Sequence, residues 1–362
     1  MARTLARPER IAWARLARTP RIGPLTFHRL IARFRTAAAA LEALPRISNL
    51  TAPEEARVAD EIGAVEAMGA RLVASCEPGY PPLLAQLDAP PPLLGMRGDT
   101  TILKKPTVAL VGSREGSAAA LVFAERIAGE LGAAGFTVVS GLARGIDAAA
   151  HKGALATGTA AVLAGGLDHP YPPQNLKLHA EIAERGLIIT EAPLGTIARA
   201  RDFPRRNSII SGVSRGVVII EAALRSGSLI TARAAAAQGR DVMAAPGSPL
   251  DPRSRGCNAL IKQGATLTEN AEDVIAALGN AAPQPRPLSS GPLFEDIEPP
   301  PPGLPGRIAK LLSPTPVHVN DLACLVEAPA GAVAAALTEL ELNGQAASLP
   351  GGYAASSGAA FS

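Results

Sequence analysis

Between residues 106 and 279, short apolar strand patterns alternate with helix patterns, an order that few folds other than a layered α/β sheet accommodate. The strand patterns are almost unbroken runs of apolar residues, which is typical of strands buried on both faces of a parallel sheet. They lie at Thr107–Val111, Phe136–Val139, Thr159–Leu163, Leu187–Thr190, Val217–Glu221, Asp241–Ala245 and Ala265–Leu267. The alternation therefore predicts the α/β class, with a Rossmann-like, doubly wound parallel sheet.

The regions on either side predict two further domains. Residues 1–50 carry ten arginines against two glutamates, and their apolar positions fit short amphipathic helices. Near the other end, three short helix patterns and a hairpin pattern describe a winged helix. The predicted domains are a helical domain of the sterile-alpha-motif (SAM) or helix-hairpin-helix type at 1–70, an extended Rossmann-like domain at 71–279, a Pro-rich linker at 280–306 and a winged-helix domain at 307–362.

Charge distinguishes the two ends of the chain. From residue 280 onward, three basic side chains face seven acidic ones. A winged helix that reads duplex DNA is normally basic. We therefore expect this winged helix to contact protein in preference to duplex.

Cysteine spacing and hydropathy exclude several classes of protein. The three cysteines lie far apart, without metal-ligand spacing, so we expect neither a metal site nor a disulfide framework. No apolar run reaches the ~18 residues of a membrane span. The Arg-rich start lacks the apolar core of a secretory signal. These features predict a cytoplasmic protein without a membrane partner.

Gly, Ser and Arg gather where the predicted strands end. Gly112-Ser113-Arg114 follows the first strand, Ser140-Gly141 with Arg144 follows the second, and Ser226-Gly227-Ser228 follows the fifth. Small-residue turns at helix starts leave N–H groups for an anion, and arginine offers a planar fork that suits phosphate. Because the carboxyl ends of parallel strands meet at one edge, we expect a single anion-binding crevice. Alone, such a loop could instead be a tight turn that binds nothing.

A second group of candidates lies between these loops. Two arginines follow an aromatic residue in Phe203-Pro204-Arg205-Arg206-Asn207, which suits a nucleic-acid backbone and a stacked base. A helix start with Phe203 in the core is the alternative. Lys177 is either a phosphate ligand or a solvated lysine. Asp147 is expected to cap a helix, and His151 to be structural.

Several catalytic patterns are missing from the sequence. There is no P-loop, no nucleophile elbow and no Cys/His pair with a clear orienting partner. The carboxylates are not gathered as a metal-dependent nuclease would need. We therefore expect a crevice that holds phosphates without reacting with them, with no catalytic residue and no cofactor.

Longer stretches resemble the DNA-processing protein DprA (Smf) family. The stretches that carry the resemblance are Val108–Arg114, Ser140–His151, Tyr171-Pro172, Phe203–Asn207, Glu221-Ala222 and Ser226–Ala232. The first ~70 residues resemble the family's SAM or helix-hairpin-helix type domain, and the last ~55 resemble its winged-helix domain.

The resemblance implies a protein that is not an enzyme. It would bind and protect incoming single-stranded DNA and load the RecA recombinase in natural transformation and recombination. It implies a homodimer formed through the Rossmann-like domain, and a DNA pocket built around Arg114. The expected DNA-binding residues are Gly112, Ser113, Arg114, Ser140, Gly141, Arg144, Lys177, Arg205, Arg206, Asn207, Ser226, Gly227 and Ser228.

Two other functions stay open at this point. Glu221 beside Ser226–Ser228 resembles the arrangement in Rossmann-like enzymes of the lysine-decarboxylase-like (LOG) class, which cleave nucleoside monophosphates. Their Pro-Gly-Gly-x-Gly-Thr pattern is absent. A structural or regulatory adaptor that works through its end domains would bind no nucleic acid.

Overall fold

The computed structural model describes residues 3–279, 300–313, 315–349 and 352–357. The main sheet contains β1 (Ala70–Ala74), β2 (Leu93–Gly98), β3 (Thr107–Gly112), β4 (Thr137–Ser140), β5 (Thr159–Leu163), β6 (Leu187–Thr190), β7 (Gly216–Ile220), β8 (Asp241–Ala244) and β9 (Thr266–Leu267). The helices before and around it are α1 (Arg7–Ala17), α2 (Pro24–Phe34), α3 (Ala37–Ile47), α4 (Glu55–Ala67), α5 (Ala118–Ala133), α6 (Ile146–Ala154), α7 (Leu176–Arg185), α8 (Asp202–Gly212), α9 (Ser228–Ala237), α10 (Arg255–Lys262) and α11 (Ala271–Leu278).

The strand order of the main sheet is β1-β2-β6-β5-β4-β3-β7-β8-β9. All neighbours from β6 to β9 are parallel, whereas β2 pairs antiparallel with both β1 and β6. The predicted doubly wound sheet is confirmed, with an antiparallel extension at one edge. The patterns did not predict β2, because three prolines precede it and two glycines interrupt it.

Helices cover both faces of the sheet, which explains the unbroken apolar runs. Successive side chains of a strand point to opposite faces. Val108 and Leu110 of β3 therefore pack in the core under α5, α6 and α11, while Ala109 and Val111 pack in the core under α8, α9 and α10. Because both faces of the strand exclude water, apolar and polar residues do not alternate along it.

Capping residues fix where the helices beside the candidate loops begin. Ser117 caps α5, since its Oγ accepts the Ala120 N–H at 3.2 Å. Asn270 caps α11 in the same way, since its Oδ1 accepts the Asp273 N–H at 2.9 Å. Such caps satisfy amides that the first helical turn leaves without a backbone partner.

The chain forms two compact units. Of the residues that the structure describes, those within 1–4 and 60–286 form one unit, and those within 5–59 and 287–362 form the other. In the second unit, α1, α2 and α3 pack around Trp13 and Phe27, whose ring centroids lie 4.9 Å apart.

The second unit also contains the winged helix. Its elements are α12 (Leu304–Leu311), β10 (Val317–His318), α13 (Val319–Val326), α14 (Ala330–Leu342), β11 (Ala346–Leu349) and β12 (Tyr353–Ser356). The strands form a sheet in the order β10-β12-β11. The predicted linker at 280–306 lies outside the described residues as far as residue 299.

Among the residues that the structure describes, no single helix is long and apolar enough to cross a membrane. α13 and α14 meet those criteria only when taken together, as a pair bent by 106°.

Candidate functional site

The loops after β3, β4 and β7 meet at one edge of the sheet. β3 has β4 on one side and β7 on the other, so the strand order reverses there. Open α/β sheets bind ligands outside the strand ends at such a reversal. An open crevice of about 770 Å³ occupies this position, between these loops and the start of α8.

Most of the predicted binding residues are brought together here. Those that line the crevice are Gly112, Ser113, Arg114, Arg206, Asn207, Ser226, Gly227 and Ser228. A smaller cavity, which shares Arg114 and Arg206 with the crevice, is lined by Gly141 and Arg144.

Three predicted residues lie elsewhere. Lys177 projects from α7 into solvent and pairs with Glu181 at 4.0 Å. Arg205 points away along α8 and pairs with Glu191 at 2.6 Å. Ser140 is fully buried, and its Oγ donates to a backbone carbonyl of β3 at 2.6 Å. None of the three side chains lines either cavity.

The loop amides are largely committed to partners within the protein. The N–H groups of Gly141 and Ala143 donate to the Asp147 carboxylate at 3.2 and 3.3 Å. The Ser113 N–H donates to the Glu221 carbonyl at 2.9 Å. The prediction of a cradle of free N–H groups is therefore wrong for these amides, and the positive charge of the crevice comes from side chains.

Exposed arginines supply that charge. Arg114, Arg144 and Arg225 are exposed, and among the described residues none of them makes a hydrogen bond or an ion pair. Arg253 also lines the crevice and pairs with Asp251 at 2.8 Å. Sequence analysis missed Arg225, although its position beside Ser226 was an available signal. It also missed Arg253, which only the fold brings to this edge.

Aromatic rings lie beneath the Arg114 side chain. Its guanidinium carbon is 4.9 Å from the centroid of the Phe203 ring, within the range of a cation–π contact. The Tyr171 ring lies 6.2 Å from Phe203, edge to face, and half of this tyrosine is exposed. Cationic and aromatic groups thus share one wall of the crevice.

The guanidinium of Arg206 points into the protein, although the residue forms part of the crevice wall. It is only 6% exposed, although it was predicted as a DNA ligand. Its Nη1 donates to the carbonyl oxygens of Gly141 and Val162. A Cβ on residue 141 would overlap this guanidinium, so the close approach requires Gly141. Arg206 thus holds the loop that follows β4, here called the second loop (residues 141–145), in position from the protein interior.

Asp147 holds the same loop from the other side. Gly145, not Asp147, is the N-cap residue of α6, so the capping prediction is wrong. Asp147 is buried in the first turn and accepts the amides of the preceding loop. Burial raises the pKa of its carboxyl group, and the positive charge of Arg206 opposes that rise. The two buried charges together set the shape of the second loop.

His151 lies fully buried next to this pair. Its Nδ1 is 2.8 Å from Thr159 Oγ1, which itself donates to the Val138 carbonyl at 2.7 Å. Nδ1 therefore carries the ring proton of a neutral imidazole. Burial, and secondly Arg206, lower the pKa of His151 to about 3.

Replacing His151 by glutamine should flatten the acid dependence of stability. The folded-state pKa is below the ordinary value of 6.5. The stabilisation is therefore complete above pH 6.5 and is lost as the pH falls toward 3. Between pH 6 and pH 4, the unfolding free energy of H151Q should fall less steeply than that of the wild type. The difference in slope should correspond to the uptake of about one fewer proton on unfolding. Urea denaturation followed by circular dichroism measures both slopes, and equal slopes would contradict this assignment.

Replacing Gly145 by alanine should destabilise the protein, because residue 145 packs against the loop that follows β3. Gly145 has φ 75°, and a Cβ there would overlap the Ser113 carbonyl oxygen. Gly135 has φ 89° with no atom within 4 Å of such a Cβ, which makes it the matched control. We expect G145A to lose about 3 kcal/mol of unfolding free energy and G135A about 1 kcal/mol. Equal losses would show that the packing against Ser113 is unimportant.

The fold and the crevice define a class of protein: a Rossmann-like protein with an arginine-lined crevice at the strand ends, together with a helical domain and a winged helix. The family model of the DNA recombination-mediator protein A matches residues 71–279. The DprA-like N-terminal HHH domain matches residues 7–68, and the DprA winged helix domain matches residues 294–352. The chain belongs to the DNA recombination-mediator protein A (DprA) family, as predicted from its motifs.

Individual relatives agree with this assignment. Protein Smf of Escherichia coli (strain K12) is 40% identical over 282 residues, which cover 76% of this chain and 74% of Smf. An X-ray structure of DprA from Streptococcus pneumoniae is 38% identical, with a TM-score of 0.58, and the match covers 67% of this chain and 82% of that one. A DprA structure from Helicobacter pylori, which concerns a single-stranded DNA binding mode, is 32% identical with a TM-score of 0.52, over 55% and 92% of the two chains.

Proposed function

We propose that this chain binds single-stranded DNA in the arginine-lined crevice, without catalysis, and delivers the strand to RecA in the cytoplasm. The family is one of recombination mediators. The observation that carries the proposal is that Arg114, Arg144 and Arg225, exposed and unpaired within the described chain, line the crevice and the smaller cavity that shares Arg114 with it. Guanidinium groups in this arrangement suit successive backbone phosphates.

The aromatic wall favours a single strand over a duplex. Unpaired bases can stack on aromatic side chains, whereas the bases of a duplex are already stacked on each other. Phe203 and Tyr171 lie at the same wall as Arg114. One strand can therefore place a phosphate on the arginine and a base against a ring.

The geometry around Glu221 supports a binding site over a nucleotide-cleaving site. Cleavage of the LOG type would need this carboxylate free at the crevice. Glu221 instead accepts the Ser117 N–H at 3.0 Å and the Ser117 hydroxyl at 2.5 Å. It lines a neighbouring cavity of about 360 Å³, not the crevice. Its role here is to tie the start of α5 to the end of β7.

Competition binding tests the proposal. A fluorescently labelled single-stranded oligonucleotide is bound by the purified protein and then challenged with unlabelled single strand or with matched duplex. We expect the single strand to displace the label at least ~10-fold more effectively. Equal displacement by duplex would contradict a single-strand site, and release of base from nucleotides would favour the enzyme.

Delivery to RecA and self-association need separate tests, and the resemblance to the family supports both. We expect the protein to shorten the lag of RecA assembly on single-stranded DNA. The ATPase activity of RecA reports that lag. We expect sedimentation to give twice the monomer mass. An unchanged lag would remove the mediator step, and a monomer mass would remove the homodimer, while leaving the DNA site in place.

A further inference from the structure

Two glutamates occupy an unfavourable end of α14. This helix follows α13 as the second member of a helix-turn-helix pair, which is the helix that enters the major groove when such a domain reads DNA. Glu339 and Glu341 lie in its last turn. The helix dipole is negative there, so carboxylates at this end need cationic partners.

Arginines of α2 supply those partners. Glu339 Oε1 lies 3.0 Å from Arg33 Nη1, and Glu341 Oε2 lies 3.4 Å from Arg29 Nη1. The four side chains are between 11% and 21% exposed, so both ion pairs are largely shielded from water. The C-terminal end of α14 is thus tied to α2 through both carboxylates.

The hairpin of β11 and β12, which is the wing of the winged helix, holds Glu341 in place. The Ser348 N–H of β11 donates to Glu341 Oε1, while the other oxygen of this carboxylate accepts from Thr26 at 3.3 Å. Arg29 also donates to Ser348 Oγ at 3.2 Å. The carboxylate is therefore presented to α2 by the winged-helix fold itself.

We propose that Arg29 and Arg33 form a second site for the DNA backbone, and that Glu339 and Glu341 cover it by occupying the positions of two phosphates. The inference rests on the proposed function for the identity of its ligand. Arg29 and Arg33 are four residues apart, so they share one face of α2. Carboxylate and phosphate oxygens bind the same guanidinium fork. A DNA strand and the winged helix therefore compete for one pair of arginines.

The competition has a measurable consequence. A site that is covered most of the time binds with an apparent affinity reduced by the fraction that is open. Neutralising the two glutamates removes the cover and leaves the arginines intact. We expect E339Q/E341Q to raise single-stranded DNA affinity by about 3- to 10-fold. The log–log salt slope should steepen by about 1.4, because each newly bound phosphate adds ~0.7.

The experiment uses the full chain in an R114A background, in which crevice binding is weakened. Anisotropy with a labelled single strand compares R114A alone, with E339Q/E341Q, and with E339Q/E341Q plus R29Q/R33Q. The matched control is D321N/E327Q, which neutralises two exposed carboxylates of the same winged helix. We expect a gain from E339Q/E341Q that R29Q/R33Q abolishes and that the control does not reproduce.

Three results would each overturn the covered site: no gain from E339Q/E341Q, an equal gain from D321N/E327Q, or a gain that survives R29Q/R33Q. Failure of the crevice itself looks different. It would appear as an R114A affinity equal to that of the wild type, whatever residues 339 and 341 are.

Discussion

Replacing Arg114 by alanine is expected to weaken single-stranded DNA binding by about 10- to 100-fold. A hydrogen bond to a charged group contributes about 1.5–3 kcal/mol, and each 1.4 kcal/mol is tenfold in affinity. Arg114 is exposed and unpaired within the described residues, so its loss leaves no buried partner behind. Folding should be unaffected, and fluorescence anisotropy with a labelled oligonucleotide measures the change.

Arg126 provides the matched control for this variant. It is also an exposed arginine beside a phenylalanine, with its guanidinium carbon 5.7 Å from the Phe123 ring, but it pairs with Glu130 on α5. It lines neither the crevice nor the cavity beside it. We expect R126A to bind within about twofold of the wild type. Equal effects of R114A and R126A would show that general charge, and not the crevice, binds the strand.

Replacing Arg206 by methionine is expected to cost about 3–5 kcal/mol of unfolding free energy. Arg206 and Asp147 are buried charges of opposite sign that stabilise each other electrostatically, and removal of one buried charge leaves the other uncompensated. Here the carboxylate of Asp147 would remain, and the carbonyl groups of Gly141 and Val162 would each lose a donor. Burial lowers the pKa of Arg206 only to about 10, so the group is charged at neutral pH. Chemical denaturation followed by circular dichroism measures the loss.

Two further variants separate the effect of two buried charges from that of a surface ion pair. The neighbouring Arg205 is 60% exposed and pairs with Glu191 at the surface, so R205M should cost less than about 1 kcal/mol. Adding D147N to R206M should recover part of the loss, because the uncompensated charge is removed. A loss in R206M no larger than in R205M would show that the buried charges of Arg206 and Asp147 do not organise the loops.

Strand patterns and loop chemistry predicted the sheet and the position of the crevice well. Apolar runs such as Thr107–Val111 have one structural explanation, since both faces of β3 are covered. Small-residue turns at strand ends must meet at one edge of a parallel sheet. The place of Gly112–Arg114 and Ser226–Ser228 follows from that topology.

The direction of individual side chains could not be predicted in the same way. Arg205 and Arg206 are adjacent in sequence, yet helix geometry sends one to solvent and the other into the protein. Neither composition nor spacing shows which of them faces Asp147. Arg253 lies far along the chain from Arg114, and only the closing of β8 against β7 brings it to the crevice.

Salt dependence of binding tests the central claim most directly. The wild-type protein is titrated with a labelled single-stranded oligonucleotide at several NaCl concentrations. Three unpaired arginines, Arg114, Arg144 and Arg225, that each neutralise a phosphate predict a log–log slope of about −2, at ~0.7 per contact. R114A should make that slope shallower by ~0.7, which corresponds to the loss of one phosphate contact. A slope near zero, or one that R114A leaves unchanged, would contradict phosphate binding at the crevice.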